Sequence, residues 1–196
     1  PLYIALDEME DVQALGAAAY PADAAARRAA MNTSPVVPYA DVSAIKGEAL
    51  RRAFEHFRTT DWAHDTPRAK DLRAYIDQER WWLDDYAIVR VLHDHYDARA
   101  WWEWPAGLAA HEPDAIAEAR AAHADAVLET CWTQWVAQRQ WEQARRELDG
   151  IALVGDLPFM VSADSADVWA RQTLFSREAS VGTPPDAFSE TGQDWG

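Results

Sequence analysis

Apolar residues along this chain recur mostly at three- and four-residue spacing, the period of a helix that buries one face. Residues 1–40 are the exception. A short apolar start, Leu2 to Leu6, gives way to an acidic patch and an Ala-rich stretch, and Asn32 to Pro38 reads as a loop. From there Val42, Ile45, Ala49, Phe54 and Phe57 predict a helix, with Asp41 or Ser43 in position to cap it. Thr59 to Thr66 is polar and turn-like. Thr66-Pro67 then supplies an N-cap and a first-turn proline. The following helix carries Leu72, Tyr75, Ile76, Trp82, Leu83, Tyr86, Val89 and Leu92 on one broad face. Trp104 to Gly107 breaks the pattern. Glu112-Pro113 restarts it as far as Leu148, a length of about 50 Å if straight, so a break near Ala121 to Asp125 is predicted.

At Asp149-Gly150 the character changes, with glycine standing where helices stop. Ile151-Ala152-Leu153-Val154 is continuously apolar and β-favouring, which predicts a buried parallel strand. Gly155 to Pro158 ends it. Residues 159–196 are loop-rich, with one short helix expected over Ser165 to Ala170. There is no internal repeat. The fold class expected is mainly α, delivering into a single βα element.

Charge and composition narrow the function. With 18 basic and 33 acidic residues the net charge is −15, which works against a phosphate backbone or an anionic membrane surface as ligand. Nucleic acid and membrane are therefore not expected partners. A lone cysteine, Cys131, excludes an internal disulfide and a multi-thiolate metal site. No 18-residue apolar run and no signal-like leader is present, so a cytoplasmic protein is expected. The absence of an initial Met and the stop just after Gly192-Gln193-Asp194-Trp195 suggest a segment of a longer chain.

Several side chains invite a functional reading, and most have a plainer one. His93 and His95 are two apart on a helix, so they cannot face one metal together; with Asp84-Asp85 they read as solvated helix surface. The chain has 11 tryptophans, a number that suits either sugar platforms or core. Neighbours on a helix diverge by about 100°. In Trp81-Trp82 and Trp101-Trp102, at most one ring of each pair shares a face, which favours packing. Cys131, between aromatic neighbours, reads as a core thiol. Asp156 stands at the carboxyl end of the predicted strand, where α/β folds gather ligands, although a loop-capping or ion-paired Asp fits the same position. The tail from Val181 to Trp195 is a proline-stiffened loop presenting Gln193 and Trp195, groups suited to sugar hydroxyls and rings.

Three successive segments carry a resemblance. They are Gly150 to Pro158, then Asp164-Ser165-Ala166-Asp167-Val168-Trp169, then Gly182 to Gly196. Together they resemble the 4-α-glucanotransferases (amylomaltases) of glycoside hydrolase family 77. Weaker matches lie at Tyr39, Val42 and Lys46, at Trp82-Leu83-x-Asp85-Tyr86-Ala87, and at Trp101-x-x-Trp104-Pro105. The resemblance implies a (β/α)8 barrel with large helical insertions. Residues 1–125 would form the insertion, and 126–196 a barrel helix, a strand and an active-site loop.

It further implies transfer of α-1,4-glucan segments by retaining two-carboxylate chemistry without a cofactor, with α-1,4-glucans such as maltooligosaccharides as partners. The family's catalytic carboxylates match no position here, so no catalytic residue is assigned. Asp156, Asp186, Gln193 and Trp195 match the substrate-binding set. Ala187 replaces a tyrosine that some relatives stack on glucan. A non-catalytic helical module that binds glucan or protein, or part of an α-glucan hydrolase, are the alternatives.

Overall fold

The computed structural model describes residues 2–157, 160–176, 178–179 and 181–195. Pro158 and Gly196, which close two of the matched segments, lie outside them. Eight α-helices are present among the described residues: α1 Glu10–Leu15, α2 Ala24–Asn32, α3 Tyr39–Thr60, α4 Pro67–His95, α5 Ala106–Ala109, α6 Pro113–Ala122, α7 Ala124–Glu147 and α8 Ala166–Ala170. Two short strands, β1 Gly182–Thr183 and β2 Gln193–Asp194, pair antiparallel. The chain divides into two compact units. One comprises Pro1–Leu83 with Asp125–Ala152, the other Asp84–Ala124 with Leu153–Gly196.

Local signals place most helix ends. Thr66 caps α4, its hydroxyl accepting from the Ala69 N–H at 3.4 Å, and Pro67 follows without losing a needed donor. The break near Ala121 to Asp125 falls at His123, between α6 and α7. Gly150, at φ 74°, turns the chain just beyond α7. One start differs from expectation. α3 begins at Tyr39 behind Pro38 with no side-chain cap, so Asp41 and Ser43 lie inside its first turns.

In the first unit the aromatic positions of α3 meet those of α7. Phe54 and Phe57 lie 5.7 and 6.1 Å from the Trp132 ring, and Phe57 lies 5.8 Å from Trp135. Trp132 is fully buried, Cys131 is buried beside it, and Leu6, Met9, Val12, Leu50 and Leu72 complete the cluster. A buried charge system borders it. Arg68 reaches Asp11 and Asp61, each at 2.6 Å, while Asp11 also meets His56 at 2.9 Å and is only 1% exposed. Burial disfavours the Asp61 charge. Hydrogen bonds from Thr66 and the nearby Arg68 guanidinium outweigh that and hold its carboxyl below the usual range.

The expected strand is not formed. Residues 151–154 run irregularly through solvent, with Ile151 65% and Val154 95% exposed. A parallel strand needs neighbours for its ladder and cover on both faces. Among the described residues the only sheet is the β1–β2 pair.

Two stability predictions follow from this packing. Trp132→Ala lowers stability by about 3–5 kcal/mol, as deletion of a buried aromatic does; an unmoved thermal melt would contradict its place in the core. Arg68→Met strands Asp11 in the interior and costs about 3–5 kcal/mol at pH 7 in urea titration. A loss under about 1 kcal/mol would make the pair no better than an exposed bridge. Because the Asp61 carboxyl is depressed, its contribution is complete above the ordinary carboxylate pKa of about 4 and is lost as pH falls through the folded value. The gap between the two proteins therefore narrows on acidification.

Candidate active-site loop

The loop expected to carry function belongs to the second unit, where the segment before it is tied to a helical frame. Trp101 is buried. Its backbone N–H donates to Asp164 Oδ1 at 3.0 Å, and its indole N–H donates to the Ala163 carbonyl at 2.8 Å. His93 Nε2 lies 3.5 Å from the same Asp164 oxygen. Ser165 caps α8 through the Val168 N–H. That helix buries Trp169, whose indole N–H donates to the Leu108 carbonyl at 2.7 Å while His111 meets its ring edge-on at 4.3 Å.

Beyond this anchor the chain folds into a tight hairpin. Gly182 pairs with Asp194 and Thr183 with Gln193. The two arms approach so closely that side chains are excluded at two positions. A Cβ on Gly182 would lie 2.2 Å from the Gln193 carbonyl oxygen, and one on Gly192 would lie 2.5 Å from that of Thr183. Gly192 also has φ 76°, which glycine alone adopts without strain. Outside the ladder, the Trp195 N–H donates to the Val181 carbonyl at 2.8 Å.

Trp195 and Gln193 are joined directly, the indole N–H donating to Gln193 Oε1 at 2.9 Å. Trp195 is 43% exposed. Asp186 turns its carboxylate inward onto the loop backbone, with Oδ1 accepting from the N–H groups of Phe188 and Ser189 at 2.8 Å each. The structure thus gathers Asp186, Gln193 and Trp195 on one hairpin. Asp156 lies apart in sequence on the exposed stretch after residue 154. A groove of about 490 Å³ lined by Tyr20, Met31, Val42 and Lys46 lies in the first unit and includes none of the four.

Trp101 is buried and Trp102 exposed; Trp82 is half-buried and Trp81 exposed, one ring inward in each pair. His93 and His95 take different neighbours, Trp104 for the first and His123 for the second; His95 is exposed as expected, but His93 is not solvated surface, its side chain being only 13% exposed. Among the described residues, no group of three or more His, Cys, Asp or Glu is placed to hold a metal ion. Nor is any helix among them long and apolar enough to cross a membrane. Sequence reasoning missed the clasp of Asp164 on Trp101. The capping pattern of Ser165 is visible locally, but nothing in it points to a partner 63 residues away.

This arrangement of anchored segment and glycine-closed hairpin falls in the part of the sequence whose motifs are most specific. A family profile described as 4-alpha-glucanotransferase matches residues 1–196. The chain belongs to the 4-alpha-glucanotransferase family. It is 37% identical over 169 residues to the 4-alpha-glucanotransferase of Thermus thermophilus, a match covering 82% of this chain and 33% of that protein. The Synechocystis enzyme is 35% identical over 174 residues, covering 84% of this chain and 34% of its own length. Among solved structures, an amylomaltase from Streptococcus agalactiae in complex with acarbose superposes with a TM-score of 0.80 at 26% identity. That alignment covers all of this chain and 39% of the amylomaltase. The chain therefore spans about a third of the length of the 4-alpha-glucanotransferases it matches.

The hairpin geometry can be checked in the chain itself. Gly182→Ala forces a methyl group into the Gln193 carbonyl, so the β1–β2 pairing opens and amide exchange at Trp195 accelerates at least about tenfold. The thermal melt of the remainder should hold. Unchanged protection at Trp195 would show that the two arms do not approach as closely as described.

Proposed function

We propose that this chain supplies part of the glucan cleft of a 4-α-glucanotransferase. The observation that carries the reading is the rigid hairpin presenting Trp195 and Gln193, in a chain whose family membership covers its whole length. In this reading Asp156, Asp186, Gln193 and Trp195 form the substrate-binding set, and α-1,4-glucans are the partners. Trp195 offers a flat face to a pyranose ring. Gln193 keeps its amide N–H₂ free to donate to sugar hydroxyls while its carbonyl holds the indole.

Residues 126–196 would serve as a barrel helix, a strand and the loop after it, with residues 1–125 as a helical insertion. The exposed apolar run 151–154 supports this, because such a run is stable when flanked by strands and covered on both faces. The single cysteine and acidic composition fit a reducing, cytoplasmic setting.

The chemistry proposed for the whole enzyme is a retaining double displacement. A carboxylate attacks the anomeric carbon while an acid protonates the departing glycosidic oxygen, and a covalent glycosyl-enzyme forms. The acceptor 4-hydroxyl then gives its proton to the same acid/base residue and displaces the carboxylate. None of these groups is assigned to the present chain. Its residues hold sugar in register and shield the intermediate from water, and that shielding favours transfer over hydrolysis. Glucose and short oligosaccharides without chain lengthening would identify a hydrolase instead.

By itself, the chain should not disproportionate maltotriose; turnover by the purified chain would overturn this division of labour. In a full-length enzyme carrying it, Trp195→Ala should lower kcat/KM roughly 5- to 150-fold, the equivalent of about 1–3 kcal/mol of lost ring contact. The thermal melt should barely move, since the ring is partly exposed. An unchanged kcat/KM, or a loss accompanied by collapse of the melt, would remove the loop from the cleft.

A further inference from the structure

The Asp186 carboxylate has two uses open to it: it can receive sugar hydroxyls, or it can organise the loop. Its hydrogen bonds favour the second. Oδ1 accepts from both the Phe188 and Ser189 N–H groups at 2.8 Å, and the Asp186 N–H donates to the Ser189 carbonyl at 2.9 Å. Ser189 passes the constraint on. Its hydroxyl donates to the Gly192 carbonyl at 2.7 Å, and its own carbonyl accepts from the Gly192 N–H at 3.3 Å. Gly192 leads straight into β2, where Gln193 accepts from the Trp195 indole. One carboxylate oxygen thus begins an unbroken series of contacts that ends at the aromatic ring.

We infer that Asp186 serves the substrate-binding set as a positioning residue and does not itself touch sugar: it fixes residues 186–192 so that Trp195 and Gln193 meet the glucan in one orientation. This rests on the glucan-cleft reading above. Its physical basis is that a loop closed only by Pro184-Pro185 and the short β1–β2 pair still has free dihedrals at residues 187–191. A charged acceptor taking two N–H groups removes that freedom before sugar arrives, so less ordering entropy is lost on binding.

A double-mutant cycle in the full-length enzyme tests it, with kcat/KM on maltotriose, thermal melting and amide exchange as readouts. Asp186→Ala removes the acceptor and should lower kcat/KM about tenfold, mostly through KM, while accelerating exchange at the Trp195 N–H. Asp186→Asn keeps an oxygen in the same place and should restore activity to within about threefold of the parent, with protection at Trp195 retained. Combined with Trp195→Ala, the Asp186→Ala change should cost less than about threefold more, because both act through the same ring.

An Asn variant as impaired as the Ala variant would mean that the charge itself contacts sugar, and it would overturn the inference. Independent, multiplying losses, or unaltered exchange in Asp186→Ala, would overturn it equally. If Trp195→Ala alone leaves kcat/KM untouched, the glucan-cleft reading fails and takes the inference with it. If Trp195→Ala is impaired and Asp186→Ala is not, the assignment of Asp186 fails alone.

Discussion

The first unit is organised around a carboxylate that cannot reach water. Asp11 is 1% exposed, and an ion so placed is tolerable only with charge and hydrogen bonds brought to it. Arg68 answers from the first turn of α4, His56 from α3, and Arg68 in turn draws in Asp61 from the end of α3. Three helices are thereby held to one geometry before apolar contact is counted. The guanidinium also lies 5.1 Å over the Phe57 ring, so the charge system and the aromatic cluster share an edge. Burial works against the Arg68 charge, but bonding to Asp11 and the neighbouring carboxylates holds its pKa above the ordinary value. Helices of modest amphipathicity gain from such a fixed point a single register of packing.

The second unit uses a different device. Its loop has almost no core of its own, and its shape comes from backbone proximity and turns. Glycine at positions 182 and 192 lets the arms close to distances that any side chain would block. Proline at 184 and 185 restricts the outward path. Such a loop is inexpensive to alter at its exposed side chains and intolerant at its glycines. Ala187 is exposed on the loop, so a change there alters what the loop offers without altering how it is built.

Much of this could be read along the chain where the determinant is local. Thr66-Pro67, the interruption at His123, Gly150 beyond α7 and the Ser165 cap are each set by a few consecutive residues, and each lies where periodicity and capping place it. The adjacent tryptophans also divide inward and outward as helix geometry demands. What escaped was non-local. Asp164 with Trp101 and Asp11 with Arg68 join positions 63 and 57 residues apart, and neither pairing leaves a periodic trace. The run Ile151 to Val154 departs from its pattern for a second reason. Its residues have strand propensity, but a strand is a property of a ladder, and propensity supplies no partner. Asp186 is open to local reading as a turn residue, because the N–H groups it accepts from lie two and three residues ahead.

That unpaired run has a consequence for handling the chain in solution. Ile151, Leu153 and Val154 present apolar surface on a backbone that joins no strand ladder, which is what an aggregating sheet recruits. The flanking charges are Asp149 on one side and Asp156 on the other. Stacking copies in register would bring these carboxylates within a strand spacing of their own images, about 4.8 Å. Mutual repulsion then acts as a gatekeeper on the segment. Self-association of the chain should accordingly be held back at low salt, and released when added electrolyte screens those two charges. The same aspartate that marks the end of a strand in the sequence pattern thus protects the chain while that strand is unpaired.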